Sequence, residues 1–304
     1  MDKRRIGSLD VSVVGLGCNN FGWRIDERAS AEVIHAALDA GVNFCDTAES
    51  YGDGASEEYL GRALRGRRDD VVIATKFGHR SGHPHRGAHP DHIPKALEGS
   101  LRRLGTDRVD LYQLHTPDPN VPIADTLGAL DALVTAGKVR EIGCSNFSLA
   151  QLEEADAVRT SHGVRFASVQ NELNLLQREE QDVVAASARD GRAFLPYYPL
   201  ASGLLTGKYR VGRNPPEGTR ITEGGRYSPL LDEANLELVE HLARYAESHG
   251  RTILDLAFGW LLSFPAVASV IAGATSAAQI RSNAAAAGWR LSAAERDEVD
   301  ELLG

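Results

Sequence analysis

The chain has no excess of basic residues. Lys+Arg number 33 against Asp+Glu 42, a formal net charge of -9. That balance argues against a nucleic-acid or anionic-membrane surface, since both recruit a basic face. A local basic pocket for a phosphorylated cofactor stays compatible with it. Long apolar runs are missing as well, and no stretch approaches the roughly 18 apolar residues of a membrane span. The first residues, MDKRRIGSLDVSVVGLG, hold a short strand-like stretch broken by Asp10 and Ser12 rather than the apolar heart of a signal peptide. The expected location is the cytoplasm. Cysteine is scarce: Cys18, Cys45 and Cys144 make an odd set without metal-ligand spacing, each in or at the end of a predicted strand. They are expected to be reduced thiols. No repeat, low-complexity tract or interdomain linker interrupts the chain.

What is present is enough apolar material for a sizeable core, 42% hydrophobic against 25% charged residues over 304 positions. That length allows two domains, but α/β barrels run roughly 200 to over 400 residues as one. Eight β-branched runs bounded by Gly, Asp or Asn alternate with amphipathic stretches. They are VSVVGLGC (11–18), VNFCDTA (42–48), DVVIATKF (70–77), VDLYQLH (109–115), REIGCSN (140–146), FASVQN (166–171), FLPYYP (194–199) and VASVIAGA (267–274). Short, nearly continuous apolar runs describe strands covered on both faces by crossover helices, and eight of them close a parallel barrel. The expected fold is a single-domain α/β protein, a (β/α)8 TIM barrel. Ser30 before AEVIHAALDAG and Ser56 opening SEEYLGRAL predict two helix starts, with Gly41 ending the first. Further helices are predicted over 91–104, 123–137, 148–158, 179–190, 232–249 and 252–263. The Gly-, Pro- and Arg-rich stretch 203–229 is too long for an ordinary connection and predicts a functional lid.

Four polar side chains fall at or just beyond the ends of the second, third and fourth runs: Asp46 and Tyr51 in FCDTAESYG, Lys76 in VVIATKFG and His115 in LYQLHTP. Reactive groups of such barrels gather at the carboxyl ends of the strands. A phenol with an ordinary pKa near 10 is a poor acid, and a neighbouring ammonium is expected to lower that value. Lys76 would do this, Asp46 would offset the lysine's desolvation, and His115 would orient a substrate oxygen. Taken singly, each residue has a plainer role: a loop cap, rim packing, a snorkelling lysine, a satisfied interior imidazole. Four coincident strand-end placements point instead to proton donation to a carbonyl.

These motifs, in the order DTAESYGDGASEEYLGRAL, VVIATKFG, DLYQLHTPD, GKVREIGCSNF, SVQNELNLL, YYPLASGLLTGKY and VIAGATSAAQIRSNAAA, resemble the aldo-keto reductases over nearly the whole chain. The resemblance implies an NAD(P)H-dependent barrel that reduces aldehydes and ketones, with Asp46, Tyr51, Lys76 and His115 as its tetrad and Tyr51 as general acid. It implies that Ser145, Asn146 and Gln170 hold the nicotinamide carboxamide, a trio chemically suited to an amide's donor and acceptor. Tyr197 would stack on the ring. Tyr198 stands where many members have a serine. The diphosphate would lie under Pro199, Leu200, Ser202, Gly203, Leu205 and Lys208, and the adenosine end by Gly273, Thr275, Ser276, Gln279 and Asn283. Gly17, Cys18 and Asn19 would form the loop beside the cofactor. The family leans to NADPH, although GATSAAQ carries no positive charge, so NADH is the alternative.

GLGCNNFG at 15–22 departs from a dinucleotide fingerprint, because its third glycine is misplaced and no helix opens there. Phe21, Trp23 and His79 are expected to contact a small-molecule carbonyl substrate, sugar-derived or hydrophobic. His79, His83, His85, His89 and His92 crowd one loop, but their irregular spacing fits no tetrahedral set, and no metal is expected. Two rivals remain: a cofactor-sensing interaction protein with vestigial turnover, and a metal-dependent hydrolase on a similar barrel.

Overall fold

A computed structural model describes the chain apart from residues 80–86, 159, 161–162 and 224 and the side chains of 225 and 226. The chain opens with an antiparallel hairpin, β1 (Lys3–Ile6) and β2 (Leu9–Ser12). The alternating elements follow: β3 (Val14–Gly17), α1 (Glu27–Asp39), β4 (Phe44–Asp46), α2 (Ala55–Ala63), β5 (Val72–Phe77), α3 (Ile93–Leu104), β6 (Val109–Leu114), α4 (Ile123–Thr135), β7 (Val139–Ser145), α5 (Leu149–Ala157), β8 (Ser168–Gln170), α6 (Gln181–Asp190), β9 (Ala193–Phe194), α7 (Glu233–Ser248), α8 (Ile253–Leu262), β10 (Val270–Gly273), α9 (Ala277–Ala286) and α10 (Ala293–Leu303).

Among the described residues, the sheet from β3 to β10 has eight strands, each pair parallel, in the order β10-β3-β4-β5-β6-β7-β8-β9. A parallel bridge between Phe194 and Val267 closes it into a (β/α)8 barrel. Every residue of β5 and β6 is buried, as expected where a helix layer covers one face and the barrel interior the other. Ile6, Leu9 and Val11 of the hairpin pack with Phe44, Val72, Leu111 and Ile271 of the barrel strands, forming a plug of apolar side chains.

The expected strand over 11–18 is in fact two. Ser12 belongs to the hairpin, its N–H donating to Asn43 Oδ1 and its hydroxyl to Val14 O, which turns the chain at Val13 into β3. Both expected helix starts also shift. Asp26 caps α1 by accepting from Ala29 N, so Ser30 lies inside the helix with its hydroxyl on Asp26 O. α2 begins after Gly54 without a side-chain cap. Ser56, inside it, donates to Cys18 O and meets the Thr47 hydroxyl, tying the loops after β3 and β4 together. Glu57 is buried against Thr75 (2.5 Å) and Arg103 (2.6 Å).

Among its described residues, the stretch 203–229 holds only short helical turns, at Ala201–Thr206 and Gly225–Leu231. Between them it is tied to the loop after β3. Arg24 donates to Gly218 O (3.1 Å) and pairs with Glu223 (3.0 Å), and Arg220 donates to Asn20 Oδ1 (2.6 Å).

Candidate active site

β4 ends at Asp46, β5 carries Lys76 next to its last residue, and His115 follows β6 with its N–H on Phe77 O. Parallel register therefore delivers all three to one rim of the barrel. Tyr51 joins them from a turn in which Gly52, Asp53 and Gly54 all have positive φ. Gly52 is required there, because a Cβ would lie 2.7 Å from Phe21 O.

Lys76 is fully buried, its Nζ 2.5 Å from Asp46 Oδ2 and 3.2 Å from both the Tyr51 hydroxyl and Thr47 O. Asp46 Oδ1 accepts from Gln113 (3.1 Å) and Gln170 (2.9 Å), so both carboxylate oxygens are engaged. Burial presses the lysine's pKa down, but Asp46 and Tyr51 outweigh it and hold the ammonium above its ordinary value. For Tyr51 the balance runs opposite to expectation. Burial raises the phenol's pKa, and Lys76 offsets only part of that, so Tyr51 is a neutral hydroxyl at neutral pH. His115 is driven well below the usual imidazole range by burial, then by Lys76 and His79. Among the described residues its buried Nδ1 has no hydrogen-bond partner, which leaves Nε2 to meet a ligand. The His115 ring stands edge-on to Tyr51 at 5.8 Å and to His79 at 4.5 Å.

A cavity of about 850 Å³ opens over this cluster, lined there by Asp46, Tyr51, His79 and His115. Gly17, Asn19, Ser145, Asn146, Gln170 and Tyr197 line its middle, and Pro199, Leu200, Ser202, Gly203 and Lys208 the adjoining wall. Gly273, Thr275, Gln279 and Asn283 line it beside Gly17 and along the start of α9. The strand-end trio is also engaged within the protein. Ser145 donates to Gln170 O, Asn146 to His115 O, and Asn146 Oδ1 accepts from the Tyr197 hydroxyl.

Five of the expected contact residues do not line the cavity. Phe21 is completely buried in the core rather than overhanging the pocket. Cys18 turns its thiol toward Cys45 in the interior, and burial followed by that neighbour raises its pKa well above the ordinary value. Leu205 is core, and Ser276 Oγ accepts from Gln279 N–H as the cap of α9, which leaves its O–H as a donor outside the cavity lining. Trp23 does not line the cavity. It is 62% exposed at the rim, with Arg24 and Arg220 near its ring. Positions 83 and 85 of the histidine-rich loop lie outside the described residues, and the described residues hold no group of three or more metal-ligating side chains.

Four residues escaped the sequence reading. Gln113 carries a signal, a polar residue in the otherwise apolar end of β6. Arg24, Asn20 and Arg220 lie on two segments about 200 residues apart in sequence, and only the fold joins them. Tyr198 belongs with this group: its hydroxyl meets Tyr227 at 2.6 Å, and Arg220 stands 5.8 Å from its ring.

The cavity fits a dinucleotide. Arg24, Lys208 and Arg220 line it, while Asp46, sealed by Lys76, is the sole carboxylate among the described lining residues. Burial and then Arg24 lower the Lys208 pKa. Asn283 Nδ2, also in the lining, is buried without a partner among the described residues, a donor available to a base.

Comparison with known proteins agrees with the fold. The model of the Aldo/keto reductase family matches residues 13–303. The aldo-keto reductase YhdN of Bacillus subtilis (strain 168) is 34% identical, covering 97% of this chain and 91% of its own length. The aldo-keto reductase yakc of Schizosaccharomyces pombe, whose name carries NADP(+), is 36% identical over 86% of this chain and 79% of its own. A glycerol dehydrogenase structure from Gluconobacter oxydans superposes with a TM-score of 0.85 at 32% identity, covering 99% of this chain and 95% of the other.

Proposed function

Because the chain belongs to the aldo/keto reductase family, we propose that it reduces small aldehydes or ketones to alcohols with NADPH, Tyr51 being the general acid. The observation that carries this is a neutral phenol held 3.2 Å from a buried, charged lysine at the mouth of a dinucleotide-sized cavity. When bound, the nicotinamide would supply a hydride to the carbonyl carbon. Tyr51 gives its proton to the carbonyl oxygen, and Lys76 stabilises the phenolate left behind. Asp46 keeps Lys76 charged and fixed. Neutral His115 donates a hydrogen bond from Nε2 and so positions the oxygen. Ser145, Asn146 and Gln170 would hold the carboxamide, and Tyr197 the ring face.

Arg24, Lys208 and Arg220 would take the diphosphate, with Gly203 allowing close backbone approach at φ +103. The preference for NADPH is supported by the NADP(+) in the yakc name and by donors at the start of α9. Gln279 Oε1 accepts from Thr275 N–H (2.7 Å) and its hydroxyl (3.1 Å), which leaves the Gln279 amide group as a donor toward a 2′-phosphate. Free Cys18, Cys45 and Cys144 support a reducing, cytoplasmic setting.

Tyr51→Phe tests the reading. Turnover of 4-nitrobenzaldehyde should fall by about 10² to 10⁴-fold, the usual worth of a positioned acid, while NADPH affinity by fluorescence titration stays as in the wild type. Undiminished turnover would remove Tyr51 as the acid. Cofactor binding with no turnover in the wild type would favour a cofactor-sensing protein instead.

A further inference from the structure

We propose that Gln113 is a positioning residue for carbonyl reduction: its buried amide, with that of Gln170, clamps Asp46 so that Lys76 stays aligned on the Tyr51 hydroxyl. The inference rests on the reductase reading and deepens it by adding a member to the support of the acid.

An amide inside the barrel needs a reason. β6 reads VDLYQL and is buried throughout, with Gln113 completely shielded from solvent. Burying an amide costs free energy unless its donors and acceptor find partners. The partners here are groups of the site itself. Gln113 Nε2 donates to Asp46 Oδ1 (3.1 Å), and Gln113 Oε1 accepts from Gln170 Nε2 (3.4 Å), whose shorter bond goes to the same Asp46 oxygen (2.9 Å).

Register explains how the glutamine reaches that far. Gln113 pairs with Lys76 on β5 and with Gly143 on β7. A Cβ on Gly143 would stand 3.1 Å from Gln113 Cγ and closer still to Ser168 Oγ. The missing side chain at 143 leaves the room in which the Gln113 stem lies on its way to Asp46.

What the clamp controls is the lysine. Asp46 Oδ2 accepts from Lys76 Nζ (2.5 Å), and the ammonium also donates to Thr47 O and to the Tyr51 hydroxyl, both at 3.2 Å. An ammonium can only donate, so Tyr51 accepts from Lys76 and directs its own proton away from the lysine, with the cavity it lines before it. A carboxylate held by one oxygen would be able to turn about its Cβ–Cγ bond and draw Lys76 with it. Two amides on the other oxygen remove that freedom.

Gln113→Met keeps the length and bulk of the side chain without the amide. Gln113→Glu keeps its shape but makes the donor depend on protonation. The experiment measures the single-turnover rate of 4-nitrobenzaldehyde reduction by the NADPH complex at saturating aldehyde across pH, with the aldehyde KM, NADPH titration and thermal unfolding of each protein. Gln113→Met should lower that rate by on the order of tenfold or more, the loss of a hydrogen bond to a charged group. Its aldehyde KM and NADPH affinity should stay near those of the wild type.

In Gln113→Glu the neutral carboxyl group can still donate to Asp46, whereas the ionised one repels it. Among the described residues around this position, Asp46 on β4 faces it, Lys76 lies beside it on β5, and Tyr51, His115 and Cys18 stand beyond them; Gly143, Ser168 and Gln170 of β7 and β8 do not titrate. The ratio of variant to wild-type rate should therefore be highest on the acid side. It should fall as pH rises through the introduced group's pKa, which Asp46 holds above the ordinary glutamate value of about 4.3. A side chain that merely filled space would produce no such limb, and the limb carries the test alone if Gln113→Met does not fold. A wild-type rate in Gln113→Met, an NADPH affinity that falls as far as the rate, or a Gln113→Glu ratio indifferent to pH overturns the proposal. If the wild type reduces the aldehyde in those cases, only the role of Gln113 falls. If no carbonyl compound consumes NADPH, the reductase reading falls with it.

Discussion

At the scale of single residues the site depends on opposed pKa shifts within a few ångströms. Burial raises Tyr51, Asp46 holds Lys76 up against its burial, and burial, then Lys76 and His79, lowers His115. The pH dependence follows from these signs. An acid with a raised pKa stays protonated throughout the neutral range, so kcat/KM for reduction should be flat from neutrality to beyond pH ~10, the ordinary phenol value. Alcohol oxidation needs the phenolate, so below that pKa it should climb by about tenfold per pH unit. Profiles measured in both directions check this, and a reduction limb falling near neutrality would show that the acid is not a buried phenol. The sequence placed Asp46, Tyr51, Lys76 and His115 together because strand-end positions follow from local pattern. It missed the direction of the Tyr51 shift because desolvation is set by whatever covers the group, and those residues come from distant parts of the chain. Phe21, Cys18 and Leu205 failed for the same reason. Their neighbours in sequence reach the cavity, but alternation and packing turn these three inward.

Among the elements, runs such as 72–77 and 109–114 were legible because residues buried on both faces leave a continuous apolar signature. The hairpin was not, since KRRI and LDVS carry half-polar patterns that only pairing explains. Helix starts slipped by one to four residues where two capping residues competed, as Asp26 and Ser30 do at α1. Helix packing makes a sharper statement than helix boundaries. A Cβ on Gly61 of α2 would stand 2.3 Å from Leu104 O of α3, a backbone atom that cannot rotate away. Gly128 on the exposed side of α4 has open space around it. Gly61→Ala should therefore cost about 1 to 3 kcal/mol by overpacking, whereas Gly128→Ala should add about 0.4 to 1 kcal/mol by restricting the unfolded chain. Denaturant midpoints of the two variants decide it, and similar values would mean that α2 and α3 are not in this close contact.

For the whole molecule the governing feature is a cavity of inverted charge. A chain with net charge -9 gathers Arg24, Lys208 and Arg220 about one groove, and the only carboxylate in the described lining is sealed beneath. Arg24 and Arg220 also join the 218–223 segment to the loop after β3. Arg24 repels Lys208, whose pKa is lowered by burial and then by this neighbour. An anionic diphosphate would relieve that repulsion and bridge the two segments at once. Binding only to the folded state at one hundred times Kd contributes about 2.7 kcal/mol, which for a chain of this size raises the melting temperature by on the order of 5 °C. NADPH should produce that rise. Because the attraction is largely Coulombic and partly exposed to solvent, the rise should shrink as sodium chloride is added at fixed NADPH, by more than the salt shifts the cofactor-free protein. Thermal unfolding with and without NADPH across a salt series measures both quantities. A rise indifferent to salt would assign the diphosphate to neutral backbone donors, and no rise would mean that the groove binds no dinucleotide.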